Sequence, residues 1–166
     1  MAQGYGKALP IGLRVRKADH WLPEKLYREH LARFPLVTID IVVTDSDSRF
    51  LLLRRNERNV GWRGAWATPG GRIFRNERLG ESAHRILMRE TGLNIPTRRF
   101  TFAGVQEIIT REEHSVTTVF RARTGRTRVV LDDTSSEAKW FRGEEAPLDL
   151  KPEYRSILSM GGVKLR

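Results

Sequence analysis

The chain has 166 residues, 39% hydrophobic and 30% charged, which suits one soluble domain, residues 1–166, with a core of its own. No apolar run approaches the roughly 20 residues that span a bilayer, Met1 to Arg16 lacks the apolar centre of a secretion signal, and the absence of cysteine excludes disulfides, thiolate metal sites and a cysteine nucleophile. A cytoplasmic protein is expected, and a net charge of +10 with a pI of about 10.8 favours anionic partners. The arginines are spread from Arg14 to Arg166 without a basic block or an aromatic ladder, which argues against specific nucleic-acid binding.

In chain order, Trp21 to Phe34 spaces Leu22, Leu26, Tyr27, His30, Leu31 and Phe34 at helical intervals, with Pro23 where an opening turn tolerates it. This predicts an entry helix that closes an N-terminal extension over residues 1–34. Leu36 to Val43 is β-rich and nearly all apolar, Asp45-Ser46-Asp47-Ser48 supplies turn chemistry, and Phe50 to Leu53 is a second strand, so a hairpin is expected. Only Asp40 interrupts the first strand. A charge there is costly to bury unless paired or solvated, and either a substrate cleft, a solvated face or a neighbouring arginine accounts for it.

A polar, arginine-rich connection carrying Trp62 and Trp66 leads to Pro69-Gly70-Gly71, a sharp turn. The following segment predicts a helix from Glu77 to Thr91, capped by Asn76 and ended by Gly92 in a left-handed conformation. Leu79, Ala83, Ile86 and Leu87 form its core stripe, Glu90 lies near the edge of that stripe, and Glu81 can pair with Arg85. Phe100 to Ile109 and Ser115 to Arg123 read as strands around Arg111-Glu112-Glu113-His114, Ala138 to Phe141 as a short strand, and Pro152 to Met160 as a final helix. Strands on both sides of one long helix point to an α/β sandwich of helices on a sheet. Trp66 and Trp140 are assigned to the core, and Trp62, in a polar loop beside Gly61 and Gly64, is the better candidate for a dimer contact or a base platform, with the core as the alternative.

Counting from Gly71, Glu77 follows six residues on, Arg85 fourteen, Glu90 nineteen and Gly92 twenty-one. This spacing resembles the signature, here residues 70–93, of the Nudix hydrolases, which hydrolyse nucleoside diphosphates linked to another group. The resemblance runs from about Leu22 to Phe141 and implies that family's α/β/α sandwich with a mixed, curved sheet. The family's usual helix carries Arg-Glu and then Glu-Glu, whereas Arg85, Ile86, Arg89 and Glu90 fill those slots here. Two of the usual metal-binding carboxylates are therefore missing. With one glutamate kept, the pattern is similar to the GDP-mannose mannosyl hydrolase branch, which attacks the sugar carbon; Pro35 to Asp40 and Leu53 to Arg72 also look like that branch.

What the resemblance implies is specific. The carbonyl of Gly71 and the carboxylate of Glu90 would hold Mg²⁺, or Mn²⁺ in its place, since both suit oxygen ligands. Arg55 and Arg72 match arginines that bind the diphosphate or assist the departing GDP, and Asp40 matches an aspartate close to the sugar nucleotide. Arg85 would orient a carboxylate or the loop through its planar fork, and Glu77 serves either the helix start or function. A nucleotide-sugar substrate and a homodimer follow from the same resemblance.

The general base of the mannosyl hydrolases is a histidine in a loop that reads here Leu131-Asp132-Asp133-Thr134-Ser135-Ser136-Glu137-Ala138-Lys139-Trp140. By simple alignment Thr134 stands for the family's glutamine and Ser135 for its histidine, and a hydroxyl does not take up a proton near neutral pH as imidazole does. Three readings stay open. Another base acts, with Asp133 or Glu137 preferred over Asp132 and His114; or attack falls on phosphorus, with Glu107 or Glu137 completing the metal site; or the chain binds a nucleotide or nucleic acid without turnover.

Overall fold

The structure, a computed structural model, describes residues 23–57, 62–111 and 114–165. Trp21, Leu22, Gly61, Glu112 and Glu113, which entered the sequence reading, lie outside the described residues. In chain order the elements are α1 (Glu24–Leu31), β1 (Leu36–Thr44), β2 (Phe50–Arg55), β3 (Trp66–Ala67), β4 (Gly70–Arg72), α2 (Leu79–Thr91), β5 (Thr101–Ile109), β6 (His114–Arg123), β7 (Ser135–Phe141) and α3 (Pro152–Met160).

The seven strands form one mixed sheet in the order β3-β2-β1-β6-β5, with β4 paired to β1 and β7 paired to β2. β1 runs parallel to β6, aligning Thr38 with Thr117 and Asp40 with Val119, and antiparallel to β4, aligning Asp40 with Gly70 and Ile39 with Gly71. The near-continuous apolar run of β1 follows from its position, because both faces of the sheet are covered. On one face Ile39, Ile41, Val43, Leu51 and Leu53 pack with Ala83, Ile86 and Leu87 of α2. On the other, Val42, Phe50 and Leu52 pack with Tyr154, Ile157 and Leu158 of α3. Each fully buried side chain of this kind contributes roughly 1.5–3 kcal/mol.

Several expectations hold, and others shift for identifiable reasons. The β1–β2 turn is fastened by Asp45, whose Oδ1 accepts from the backbone N–H groups of Asp47 and Arg49, each at 2.9 Å. The final helix spans Pro152–Met160 as expected. The signature helix instead begins at Leu79, with Arg78 as N-cap and Glu81 returning a hydrogen bond to the Arg78 N–H at 3.0 Å. Asn76 is no cap: it takes φ 67° and turns the chain before the helix, a conformation that asparagine tolerates well. Leu79, placed in the core stripe, is 44% exposed because it opens the helix, while Glu90, placed at the stripe's edge, is only 1% exposed. Gly92 ends the helix with φ 67° and its N–H on the carbonyl of Met88 at 3.0 Å, as expected. β7 starts at Ser135, three residues before the expected Ala138, because its pairing to β2 continues through Glu137 opposite Arg54 and Ser135 opposite Arg55. Trp66 is buried, and Trp140 packs at the edge of the core with its indole N–H on the carbonyl of Thr127 at 2.9 Å.

Candidate active site

The loop between β4 and α2 is organised by one ion pair. Arg85 Nε lies 2.6 Å from Glu77 Oε1 and Arg85 Nη2 lies 2.7 Å from Glu77 Oε2, a planar fork on a planar carboxylate. The same Nη2 donates to the carbonyl of Arg72 at 2.9 Å. Ser82 Oγ and the Phe74 N–H also donate to Glu77 Oε2, and the Phe74 ring lies 3.9 Å from the guanidinium carbon. Burial alone raises the Glu77 carboxyl, but the hydrogen bonds from Arg85, Ser82 and Phe74 outweigh it and hold it at about 2. The expected Glu81–Arg85 pair does not form: Arg85 is drawn to Glu77, and Glu81 serves the helix start.

Beside this loop lies a cleft of about 310 Å³, at the small end of the range for ligand sites. Its floor is the sheet face that carries Thr38 and Asp40 of β1 and Ser115 and Thr117 of β6. The Thr38 and Thr117 hydroxyl oxygens are 2.6 Å apart. Its walls are Tyr27 of α1, Trp62, Tyr154 of α3, β4 and the C-terminal half of α2. Trp62 stands edge-on to Tyr154 with ring centroids 5.2 Å apart, and the Arg72 guanidinium carbon lies 4.2 Å from the Tyr27 ring centre.

A buried charge network closes the cleft's inner end. Arg55, 7% exposed, places Nη1 3.2 Å from Glu90 Oε1 and donates through Nη2 to the carbonyls of Thr68 at 3.2 Å and Gly70 at 3.4 Å. Arg89 Nη2 lies 3.0 Å from the same Glu90 oxygen, and its Nε lies 3.4 Å from Asp132 Oδ2. The Gly70 N–H donates to Glu90 Oε2 at 3.1 Å. Burial works against the Arg55 charge, but Glu90, Tyr154 and Asp40 outweigh it and hold the guanidinium above its usual range. Asp40 accepts from Thr68 Oγ1 at 2.5 Å. A Cβ at Gly70 would come within 2.5 Å of Asp40 Oδ1 and 3.0 Å of the Ile39 carbonyl, so glycine is required there by close approach.

Of the residues singled out from the sequence, Asp40, Arg55, Gly71, Arg72, Arg85 and Glu90 line this cleft. Glu77 acts on it from behind, through Arg85. Asp133 and Glu137 do not line it: the Asp133 carbonyl accepts from Asn56 Nδ2 at 2.7 Å, and Glu137 sits on the strand's outer edge, 3.9 Å from Arg54. His114 pairs with Glu107 at 3.1 Å, outside the cleft as well. Thr134 lines the cleft, whereas Ser135 is buried with its hydroxyl oxygen unpaired among the described residues. Sequence reasoning missed Arg89, Tyr27, Thr38, Ser115 and Tyr154. Strand alternation was the available signal for Thr38, two residues before Asp40; the others depend on the parallel β1–β6 pairing and on the packing of the two flanking helices.

The family model described as NUDIX domain matches residues 35–160. The chain belongs to the NUDIX domain family. Its reaction class is hydrolysis. The chain is similar to the low-salt glycan biosynthesis protein Agl8 of Haloferax volcanii, 29% identical over 126 residues that cover 72% of this chain and 79% of that protein. In fold it is similar to the MutT protein of Methanosarcina mazei Go1, with TM-score 0.70 and 24% identity over 78% of this chain and 95% of that one. It is also similar to the NUDIX domain of Shewanella oneidensis NrtR complexed with ADP ribose, with TM-score 0.63 and 22% identity over 85% of this chain and 97% of that one.

Nudix hydrolases generally use divalent metals, and the donor set here can be tested against that need. Magnesium asks for octahedral oxygen ligands at close range, with one or two carboxylates among them. Glu90 is the carboxylate retained in the signature helix, and three donors engage it: Arg55 and Arg89 on Oε1 and Gly70 on Oε2. The usual carboxylate positions at 86 and 89 are a buried isoleucine and an arginine. Among the described residues no group of three or more His, Cys, Asp or Glu could hold an ion. The Arg89 Nη2 lies 3.0 Å from Glu90 Oε1 and 3.8 Å from where a Cβ on Gly71 would stand, so a guanidinium already sits beside the pair implied as metal ligands. In this arrangement the residues do not fit a divalent cation.

Proposed function

We propose that this Nudix protein hydrolyses a nucleotide sugar, releasing a nucleoside diphosphate and the free sugar by attack of water at the sugar carbon. GDP-mannose is the substrate that the signature favours, and a relative named for glycan biosynthesis is in keeping with a sugar substrate. So is a fold neighbour complexed with ADP ribose, itself a nucleoside diphosphate bearing a sugar. The observation that carries the proposal is the juxtaposition of Arg55, Arg72, Arg85 and Arg89 with Asp40 in one cleft at the end of the signature helix. Arginine forks suit diphosphate oxygens, and the aromatic pair Trp62 and Tyr154 offers the base a surface to stack on.

In this reading the reaction needs a proton acceptor close to the attacking water. Asp40 and Glu90 are the carboxylates that line the cleft. Glu90 is already engaged by Arg55, Arg89 and the Gly70 N–H, so the role falls to Asp40. The water oxygen bonds to the sugar carbon, its proton passes to Asp40, and the bond from that carbon to the diphosphate oxygen breaks with its electron pair on the leaving diphosphate. Negative charge on Asp40 also favours the positive charge that develops at the sugar carbon. Asp133 and Glu137, the bases preferred from sequence, would need their loop and strand to reach the cleft. The homodimer implied by resemblance remains part of this proposal and is checked by sedimentation.

Phosphorus NMR on GDP-mannose in ¹⁸O-labelled water tests the reading. GDP with unlabelled phosphates alongside labelled mannose is the expected result. GMP with mannose 1-phosphate would move attack to phosphorus, and no product would reject GDP-mannose as substrate.

A further inference from the structure

The carboxylate retained in the signature helix is engaged here by a cationic side chain that stands where the usual pattern has a second carboxylate. Arg89 replaces a carboxylate of the usual helix pattern, and its guanidinium bridges Glu90 and Asp132 at 3.0 and 3.4 Å. A cation bridging two carboxylates in a diphosphate cleft is the electrostatic arrangement a bound ion would create. A second cation on Glu90 Oε1 would share that oxygen with two guanidiniums already within 3.2 Å of it, and Coulomb repulsion at such separations opposes it. Arg89 is also 36% exposed and lines the cleft. Arg72, at the end of β4, lines the same cleft.

We propose that Arg89 and Arg72 together bind the diphosphate of the substrate without a divalent ion, with Arg89 acting as a built-in replacement for the metal. The proposal rests on the diphosphate reading of the cleft and concerns how that group is held. Guanidinium stays charged across the working pH range, so recognition of the phosphate oxygens is independent of metal supply. Added magnesium competes for the same oxygens in solution and does not help binding.

The test is calorimetric titration of the full chain with inorganic pyrophosphate, then GDP, in EDTA and in magnesium. The proposal expects binding in EDTA at least as tight as in magnesium, and a loss of about tenfold or more in Arg89→Ala, with a comparable loss in Arg72→Ala. Arg54→Ala, on a side chain outside the cleft, keeps the parent affinity. Circular dichroism and a thermal melt establish that each variant is folded, and Arg89→Lys, which keeps the charge and loses the fork, is expected between parent and alanine. Affinity about tenfold or more tighter in magnesium than in EDTA would overturn the proposal, as would Arg89→Ala binding like the parent. Metal-free binding without turnover of any nucleotide sugar would defeat the hydrolase reading and leave this one standing; turnover only with magnesium, with no binding in EDTA, would do the reverse.

Discussion

Replacing Glu77 by Gln removes the charge that organises the β4–α2 loop, and its effect on stability should depend on pH in a defined way. The Glu77 carboxyl falls from an ordinary 4.5 to about 2 in the folded chain. A depressed carboxylate stabilises the fold above its unfolded pKa and loses that contribution as pH falls through the folded value. At 1.36 kcal/mol per unit the contribution at pH 7 is at most about 3 kcal/mol. The two side chains retain 21% and 24% of their accessibility, so solvent screening reduces the realised loss to about 1–2 kcal/mol. Linkage leaves about 40% of the contribution at pH 3 and almost none below the folded value. Urea denaturation of parent and Glu77→Gln at pH 7 and at pH 3 measures the gap at each. A gap that shrinks by about half or more between the two supports the account; an equal gap at both would refute the idea that Glu77 acts through its ionised form.

Other variants probe other parts of the same network. Arg85→Lys keeps the charge but cannot span both Glu77 oxygens and the Arg72 carbonyl, so a loss of about 1–2 kcal/mol in denaturant unfolding is expected. Arg55→Met leaves buried Glu90 without its buried partner and should cost about 3–5 kcal/mol, of which Arg55→Met/Glu90→Met recovers more than half; a double-mutant cycle with no coupling contradicts the pairing. Asp40→Asn keeps a hydrogen bond with Thr68 while removing the proton acceptor, and steady-state kinetics should show kcat falling about 10²–10⁴-fold with a smaller change in KM. Gly70→Ala drives a methyl into Asp40 and the Ile39 backbone and should destabilise by about 1–3 kcal/mol, read as a fall in Tm.

Much of the fold was legible because burial leaves a periodic trace. Leu36 to Val43 read as a strand because Ile39, Ile41 and Val43 face one helix layer and Val42 faces the other, and Pro152 to Met160 read as a helix because Tyr154, Ile157 and Leu158 share one face. The loop–helix signature located Arg72, Arg85 and Glu90 because each sits next to a glycine turn or on the helix it launches, and Arg55, at the end of β2, came from the wider resemblance. What stayed hidden depends on distances that no spacing encodes. Glu77 was read against the helix start, yet the left-handed Asn76 swings it beneath Arg85. Arg89 entered the sequence reading only as the residue in a lost carboxylate slot, and only the fold brings Asp132, from more than 40 residues on, to it. Asp133 and Glu137 attracted attention as acids in the right loop, but Asp133 meets Asn56 through its backbone carbonyl, Glu137 pairs with Arg54, and neither lines the cleft.

The central claim is that this cleft holds a diphosphate between arginines at the end of the signature helix. A crystal structure of the chain with GDP grown in EDTA tests it most directly. The account predicts the diphosphate within hydrogen-bonding distance of the Arg72 and Arg89 guanidiniums, with the base near Trp62 and Tyr154. GDP seated elsewhere, or a diphosphate in the cleft without contact to either arginine, would contradict it.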